Sequence, residues 1–249
     1  MPNEATFNIF RGDIEGGELV QYKVPIAPGM VVLDALHYIQ AHDAPDLAVR
    51  WNCKAGRCGS CSAEVNGRPR LTCKLRLDSL PLDDPITVQP MPTFPVIKDL
   101  VTDVSWNYRI NRRIPPFTPR ANVNWKMYQR DIDRVQEFRK CIECFLCQNV
   151  CHVLRDHDKL NQFGGPRFFV RIAGLEMHPL DALSRNQLLK DELGIGLCNI
   201  TKCCTEVCPE DIHITDNAII PLKERVVDSY YDPLTWFLNK IRKRQVVKE

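Results

Sequence analysis

Long apolar runs are missing from this sequence. The longest stretch without Asp, Glu, Lys or Arg extends only from Pro85 to Ile97 and contains four prolines, whereas a membrane-spanning helix needs about 20 apolar residues. No transmembrane segment is therefore expected. The opening residues MPNEATFNIFRGD offer no basic segment followed by an apolar one, so no secretory signal is expected and the chain is read as intracellular. Excess charge of one sign is also scarce, since 33 Lys and Arg face 31 Asp and Glu for a formal net charge of +2. Residues 240–249 alone hold five Lys or Arg against one Glu. The body is thus near neutral, without the broad basic face of a nucleic-acid binder. Low-complexity segments are absent too. With 44% hydrophobic and 26% charged residues over 249 positions, the composition is that of a globular chain, and two domains of ordinary size are expected.

What the sequence does have is cysteine, twelve in all. Structural disulfides are rare in a reducing compartment, so metal binding is the leading explanation.

The N-terminal part reads as strands with one helix. Thr6 to Arg11 and Glu18 to Ile26 alternate loosely across Gly16-Gly17, which predicts a hairpin with a longer loop. MVVLDALHYIQAH puts Val32, Leu36 and Ile39 on one helical face. SAEV and RLTC flank Asn66-Gly67, a strong hairpin signal, and ITVQP reads as the last strand. From Pro90 the texture changes, and the join between domains is expected between about Val104 and Asn124, giving units 1–110 and 111–249. The second unit reads as helical, with Ile132, Val135 and Phe138 on one face and further helices at Arg167 to Glu176, Leu180 to Leu193 and Ile219 to Tyr230. A cysteine run followed by helical sequence occurs twice in it. The fold class expected is α+β, a small sheet crossed by a helix and then an all-helical unit.

The first cysteine group, Cys53, Cys58, Cys61 and Cys73, has the CxxxxCxxC spacing and distant fourth cysteine of a plant-type 2Fe-2S site. Gly56 and Gly59 in WNCKAGRCGSC allow backbone N–H groups to turn toward sulfur, and Lys54 and Arg57 add positive charge. The competing reading is a zinc knuckle or a set of buried thiols. The second group, Cys141, Cys144, Cys147 and Cys151, is the CxxCxxCxxxC run whose fourth cysteine serves another cluster. Its partner is CNITKCCTEVCP, with Cys198, Cys204 and Cys208 followed by Pro209. The crossing rule predicts a 4Fe-4S site of Cys141, Cys144, Cys147 and Cys208, and a second site of Cys151, Cys198 and Cys204. The interval from Cys198 to Cys204 equals that from Cys141 to Cys147, so the position matching Cys144 is Thr201, a poor iron ligand. That site is expected to hold 3Fe-4S. Cys203 remains open, either a small buried residue near the cluster or a fourth ligand.

Other signals are weaker. GIGLCN lacks the last glycine of GxGxxG and reads as a turn, and no nucleotide or flavin site is seen. His152 is either a surface residue or a polar group beside the three-iron site, while His37 and His213 read as structural. Trp236, Phe237 and Ile241, interleaved with Lys240, Arg242, Lys243 and Arg244, form a basic amphipathic ending, read either as a solvated helix end or as a docking element for a membrane partner or anionic headgroups.

The order of a plant-type site, then CxxCxxCxxxC, then CxxxxxCxxxCP resembles the iron-sulfur subunit of succinate dehydrogenase and fumarate reductase, over nearly the whole chain. The resemblance implies a β-grasp ferredoxin domain followed by an α-helical ferredoxin domain. It also implies a place between an FAD-bearing flavoprotein and an integral membrane anchor, with electrons passing through 2Fe-2S, 4Fe-4S and 3Fe-4S centres to quinone. Such a subunit is not catalytic alone. It lies peripherally on the cytoplasmic face of the cell membrane and works in the tricarboxylic acid cycle and respiratory chain, or in reverse as a fumarate reductase. The wording RKCIECFLCQNVCH and CNITKCCTEVCPE is similar to actinobacterial forms, whose small membrane subunit commonly carries haem. Where ubiquinone-reducing members have proline, tryptophan and histidine, this sequence has His152, Asp156 and Asn199. The resemblance therefore implies a different quinone environment, with His152 and Asn199 as quinone-proximal candidates and menaquinone as the candidate quinone. The reading from a different class is a zinc-binding interaction module.

Overall fold

The computed structural model describes residues 4–122 and 124–233. The first half is a five-stranded sheet crossed by one helix. Strands β1 (Glu4–Asp13) and β2 (Gly16–Pro25) form the hairpin, with Phe7 opposite Tyr22 and Ile9 opposite Val20, but pairing runs on to Asp13 and Gly16, so Ile14 and Glu15 alone make the turn in place of the longer loop expected. Ala5, Phe7 and Ile9 alternate inward on β1 and are buried, as the two-residue period of a strand requires. Strands β3 (Ser62–Val65), β4 (Arg68–Leu71) and β5 (Ile86–Gln89) complete the order β2-β1-β5-β3-β4, in which β1 and β5 are parallel neighbours. Helix α1 (Val32–His42) lays Val32, Ala35, Leu36 and Ile39 on the sheet, all fully buried, and the Asp34 carboxylate accepts the Val31 N–H at 3.1 Å at its start. A parallel central pair reached from a hairpin through a crossing helix is the β-grasp arrangement.

Strand β4 ends two residues before the expected RLTC segment does. Thr72 leaves the strand because its N–H and its hydroxyl both donate to the Cys61 carbonyl at 3.1 Å, which folds Cys73 back toward the first cysteine loop. A small hairpin of β6 (Val96–Lys98) and β7 (Val101–Thr102) follows. It is anchored by the buried Asp99, whose carboxylate accepts the Gly12 and Ala48 N–H groups at 3.0 and 2.8 Å and pairs with Arg11 at 3.1 Å.

Helix α2 (Ser105–Arg113) leads into the second half, and residue 110 lies within it. Short helices then succeed one another: α3 (Gln129–Gln136), α4 (Leu146–Asn149), α5 (His152–Arg155), α6 (Pro166–Glu176), α7 (Cys203–Glu206) and α8 (Ile220–Tyr230). Pro166 opens α6, where its missing N–H is no loss. Phe169, Ile172 and Ala173, one face of α6, sit at the centre of the helical core with Phe163, Leu189, Ile214 and Leu222.

One expected helix is cut short. Leu180 to Leu193 is extended or irregular up to Arg185 and helical only over residues 186–192, where Leu188–Glu192 form a wide turn of π-helix. Asp181 and Arg185 form a buried ion pair at 2.9 Å, the Asp181 carboxylate accepts the Leu183 N–H at 2.9 Å, and the Arg185 guanidinium donates to the carbonyls of Pro115 and Pro116 at 3.0 and 2.8 Å. Side-chain bonds to backbone thus replace the helical ladder. The basic ending from Trp236 to Arg244 lies outside the described residues.

Candidate iron-sulfur sites

The first cysteine loop, between α1 and β3, has no regular structure, and its shape is set by left-handed residues. Lys54, Gly56 and Gly59 have φ of 54, 66 and 69°. This curl turns N–H groups onto sulfur: Cys53 Sγ accepts from Ala55 and Arg57 at 3.4 and 3.3 Å, and Cys58 Sγ accepts from Cys53 at 3.5 Å. Burial pushes the Cys58 thiol up, but the Cys53 N–H, the Ser60 N–H and hydroxyl and the Cys53 thiol outweigh it and bring the thiol down to about 6. Cys73, buried and hydrogen-bonded with Cys61, is pushed up to about 11. Cys53, Cys58, Cys61 and Cys73 are therefore brought together, with Cys53 exposed and Cys61 and Cys73 buried. His37 is structural here, its ring edge-on to Trp51 with centroids 4.8 Å apart and its Nδ1 3.2 Å from Lys54 Nζ.

The two later runs fold alike. In the first, Glu143 and Phe145 are left-handed; in the second, at the same intervals from the leading cysteine, Ile200 and Lys202 are. Each run is then followed at the same interval by a four-residue helix, α4 and α7. Successive left-handed and right-handed residues make a concave nest of N–H groups suited to an anion. Thr201 falls at the place of Cys144 by conformation as well as by count.

Cys141, Cys144, Cys147 and Cys208 line one cavity, together with Ile142, Phe145, Arg167, Val170, Ile212 and Ile214. The structure thus brings the last cysteine of the second run to the first three of the first. Cys151, Cys203 and Cys204 are electrostatic neighbours, and Cys198 acts on Cys204. Cys204 also acts on Cys147, so the two sets adjoin. Cys203 Sγ lies 3.4 Å from Thr201 Oγ1, which places its thiol beside the position that lacks a cysteine. Burial holds these thiols protonated, with Cys144 and Cys151 pushed up to about 12, Cys204 to about 11, and Cys147 well above its ordinary value. Buried thiols of this kind ionise when iron supplies the compensating positive charge. The donor set and the N–H nests fit iron-sulfur clusters. Among the described residues no three His, Cys, Asp or Glu side chains are arranged around a single metal ion.

Gly59 joins the first loop to the second. A Cβ on it would lie 2.7 Å from Cys144 Cα and 2.8 Å from the Ile142 carbonyl, and Ser62 donates its hydroxyl to the Cys144 carbonyl at 2.8 Å. Arg57 pairs with Glu210 at 3.3 Å, and Lys74 Nζ donates to the Pro209 carbonyl at 3.0 Å. Beyond these, the buried Glu64 accepts from Asn149 at 3.2 Å and pairs with Arg155 at 3.0 Å. Sequence reasoning missed all of these contacts. It also missed the left-handed residues, whose types give no sign of that conformation.

His152 is half-buried at the start of α5, edge-on to His157 with ring centroids 5.9 Å apart. Asn199 is exposed, between the exposed apolar Leu197 and Ile200. His213 Nδ1 lies 2.8 Å from Glu137 Oε1, a bond that ties the turn before Cys141 to the segment after Cys208. The GIGLCN segment is a tight turn, as expected.

A β-grasp unit with one cysteine loop, packed on a helical unit with two crossed cysteine runs, defines a multicentre ferredoxin-type electron carrier. Residues 6–108 match the model of a 2Fe-2S iron-sulfur cluster binding domain, and residues 137–212 match that of a 4Fe-4S dicluster domain. The chain is 32% identical to the fumarate reductase iron-sulfur subunit of Mycobacterium tuberculosis, over 82% of this chain and 84% of that one. It is similar to a chain in the solved structure of the Mycobacterium smegmatis Sdh1 complex in the apo form, with 59% identity, a TM-score of 0.91, and coverage of 94% of this chain and 99% of the other. It is also 30% identical to an uncharacterized iron-sulfur protein of Methanococcus maripaludis, and spans 45% of that protein's length. The chain belongs to the family of iron-sulfur subunits of succinate dehydrogenase and fumarate reductase. Among the described residues, no helix is long and apolar enough to cross a membrane.

Proposed function

We propose that this chain is the iron-sulfur subunit of a succinate dehydrogenase, conducting electrons from the FAD of a flavoprotein subunit to quinone at an integral membrane anchor. In this reading residues 1–110 carry 2Fe-2S on Cys53, Cys58, Cys61 and Cys73. Residues 111–249 carry 4Fe-4S on Cys141, Cys144, Cys147 and Cys208, and 3Fe-4S on Cys151, Cys198 and Cys204. Each cluster takes up one electron at a time, which divides the two-electron oxidation of succinate into single steps. The observation that carries the proposal is the contact of the first cysteine loop with the second at Gly59 and Cys144, next to the adjoining thiols of Cys147 and Cys204, one from each of the two later sites. The residues of the chain hold the clusters in file. The N–H nests stabilise anionic sulfur, and burial of Cys147 and Cys204 excludes water from the later two sites.

Exposure supports a direction of docking. Cys53 and Trp51 are exposed at the first loop, where a flavoprotein would approach. Leu197, Asn199 and Ile200 are exposed at the third, where an anchor and its quinone would meet His152 and Asn199. A haem-bearing anchor, menaquinone as acceptor, and a peripheral position on the cytoplasmic face of the membrane complete the proposal, which places the complex in the tricarboxylic acid cycle and respiratory chain.

The test is isolation of the chain with its native partners. About nine irons per chain, no stoichiometric zinc, and succinate-dependent quinone reduction that disappears when the flavoprotein is removed are expected. Zinc with four or fewer irons in anaerobically prepared material would refute the three-cluster assignment.

A further inference from the structure

We propose that the buried guanidinium of Arg167 donates its Nε–H to the sulfur cage between Cys141, Cys144, Cys147 and Cys208, and so raises the reduction potential of that centre. This rests on the assignment of a 4Fe-4S cluster to that cavity. Arg167 is the second residue of α6 and is 5% exposed. Its side chain borders the cavity that the four cysteines line. Its Nη2 is held by the Glu143 carboxylate, and its backbone N–H donates to Gln148 Oε1 at 3.3 Å. Nε is buried and has no hydrogen-bond partner among the described residues.

A buried charged donor left without an acceptor is costly, and of the two unpartnered Nε groups on α6, those of Arg167 and Arg171, only Arg167 belongs to a side chain that borders this cavity. The acceptor that fits this cavity is anionic sulfur. Hydrogen bonds to sulfur and the net charge around a cluster set its potential. The cluster gains a negative charge on reduction, so a fixed N–H and a cation beside it stabilise the reduced form more than the oxidised one. Glu143 opposes this only in part. Its side chain is 43% exposed against 6% for Arg167, so solvent screens the carboxylate more than the guanidinium. Glu143 is itself a left-handed residue of the cysteine loop, which fixes the guanidinium relative to the cavity.

The experiment is a redox titration of the intact complex followed by low-temperature EPR, with iron counted in each variant. Arg167→Met should lower the ratio of reduced to oxidised 4Fe-4S centre about ten-fold at fixed potential, a shift of about 59 mV for one electron, with the other two centres unmoved. Arg167→Lys, which keeps charge without Nε–H, should shift it in the same direction by less, and Glu143→Gln should shift it upward. Arg171→Gln is the control, because Arg171 lies one turn further along α6 and borders an outer groove rather than the cavity. Its potential should stay at the wild-type value. An unmoved 4Fe-4S potential in Arg167→Met, or an equal shift in Arg171→Gln, would overturn the proposal. If Arg167→Met loses the centre, opposite shifts in Arg167→Lys and Glu143→Gln support it and unmoved potentials overturn it. Absence of any 4Fe-4S signal from the wild type would instead refute the cluster assignment beneath it.

Discussion

Replacing Gly59 with alanine tests the packing of the first two cysteine loops. Two effects add. Gly59 has φ of 69°, and an L-residue held there costs roughly 1–2 kcal/mol. The new Cβ would also sit 2.7 Å from Cys144 Cα, against about 3.5–4.0 Å for a relaxed carbon contact. Both partners are backbone, so the loops must part by roughly 1 Å, at about 1–3 kcal/mol by analogy with overpacked cores. Gly59→Ala should therefore lose roughly 2–5 kcal/mol in all. Gly67 separates the two effects. Its φ is 72°, but nothing among the described residues lies within 4 Å of a Cβ built there, so Gly67→Ala should show the first effect alone. At about 2–4 °C per kcal/mol for a chain of this size, the apparent melting temperature should fall by roughly 4–20 °C for Gly59→Ala and 2–8 °C for Gly67→Ala. Magnetic coupling between the 2Fe-2S and 4Fe-4S centres, read by EPR, should weaken only in Gly59→Ala. Equal melting shifts with unchanged coupling would refute the close-approach reasoning.

If the third site holds 3Fe-4S as proposed, Thr201→Cys should supply a fourth thiolate, convert the cluster to 4Fe-4S and abolish the EPR signal of the oxidised protein, while Cys203→Ser leaves that signal intact. A wild type without the signal, in which Cys203→Ser creates it, would make Cys203 the fourth ligand. Glu64→Ala strips the partner from the buried Asn149 and from Arg155. It should destabilise by about 2–4 kcal/mol, near the low end for broken buried pairs because the Arg155 side chain is 34% exposed; unchanged resistance to limited proteolysis between the halves would count against this network. Burial pushes the Glu137 carboxyl up, but bonds from the His213 N–H, Asn217 and the His213 ring outweigh it and hold the carboxyl below its ordinary value. The group is thus lowered on folding, and its stabilisation is present above the ordinary glutamate range and lost as pH falls through the folded value. Glu137→Gln should flatten the acid limb of a melting profile, and an unchanged limb would disprove the assignment.

The chemistry was legible in the sequence because cysteine spacing is set by cluster geometry, and a thiolate has few substitutes. The strands of the first half were legible for a similar reason: Phe7, Ile9 and their partners must alternate to cover one face. Leu180 to Leu193 misled because its apolar spacing is helical while its structure is decided by Asp181 and Arg185, which bond to backbone more than 60 residues away. The left-handed residues were hidden because Glu143, Phe145, Ile200 and Lys202 are not types that favour that conformation. The surrounding cysteine loops impose it. Glu64 gave no sign in the sequence of reaching Asn149 and Arg155, since a strand position carries no record of what packs on its far side.

The crossed cavity of Cys141, Cys144, Cys147 and Cys208 is also placed to serve as a clasp. The chain between Cys147 and Cys208 leaves the cavity, builds α5, α6 and the wide turn, and returns to it. On the proposed assignment, a cluster fastened at both ends would close that segment into a ring, and a closed ring has fewer unfolded shapes to lose. Filling the cavity would then lock the second half, because both runs must be in place to hold the cluster. Loss of iron at this one place would reopen the ring and loosen α6, which lies across it.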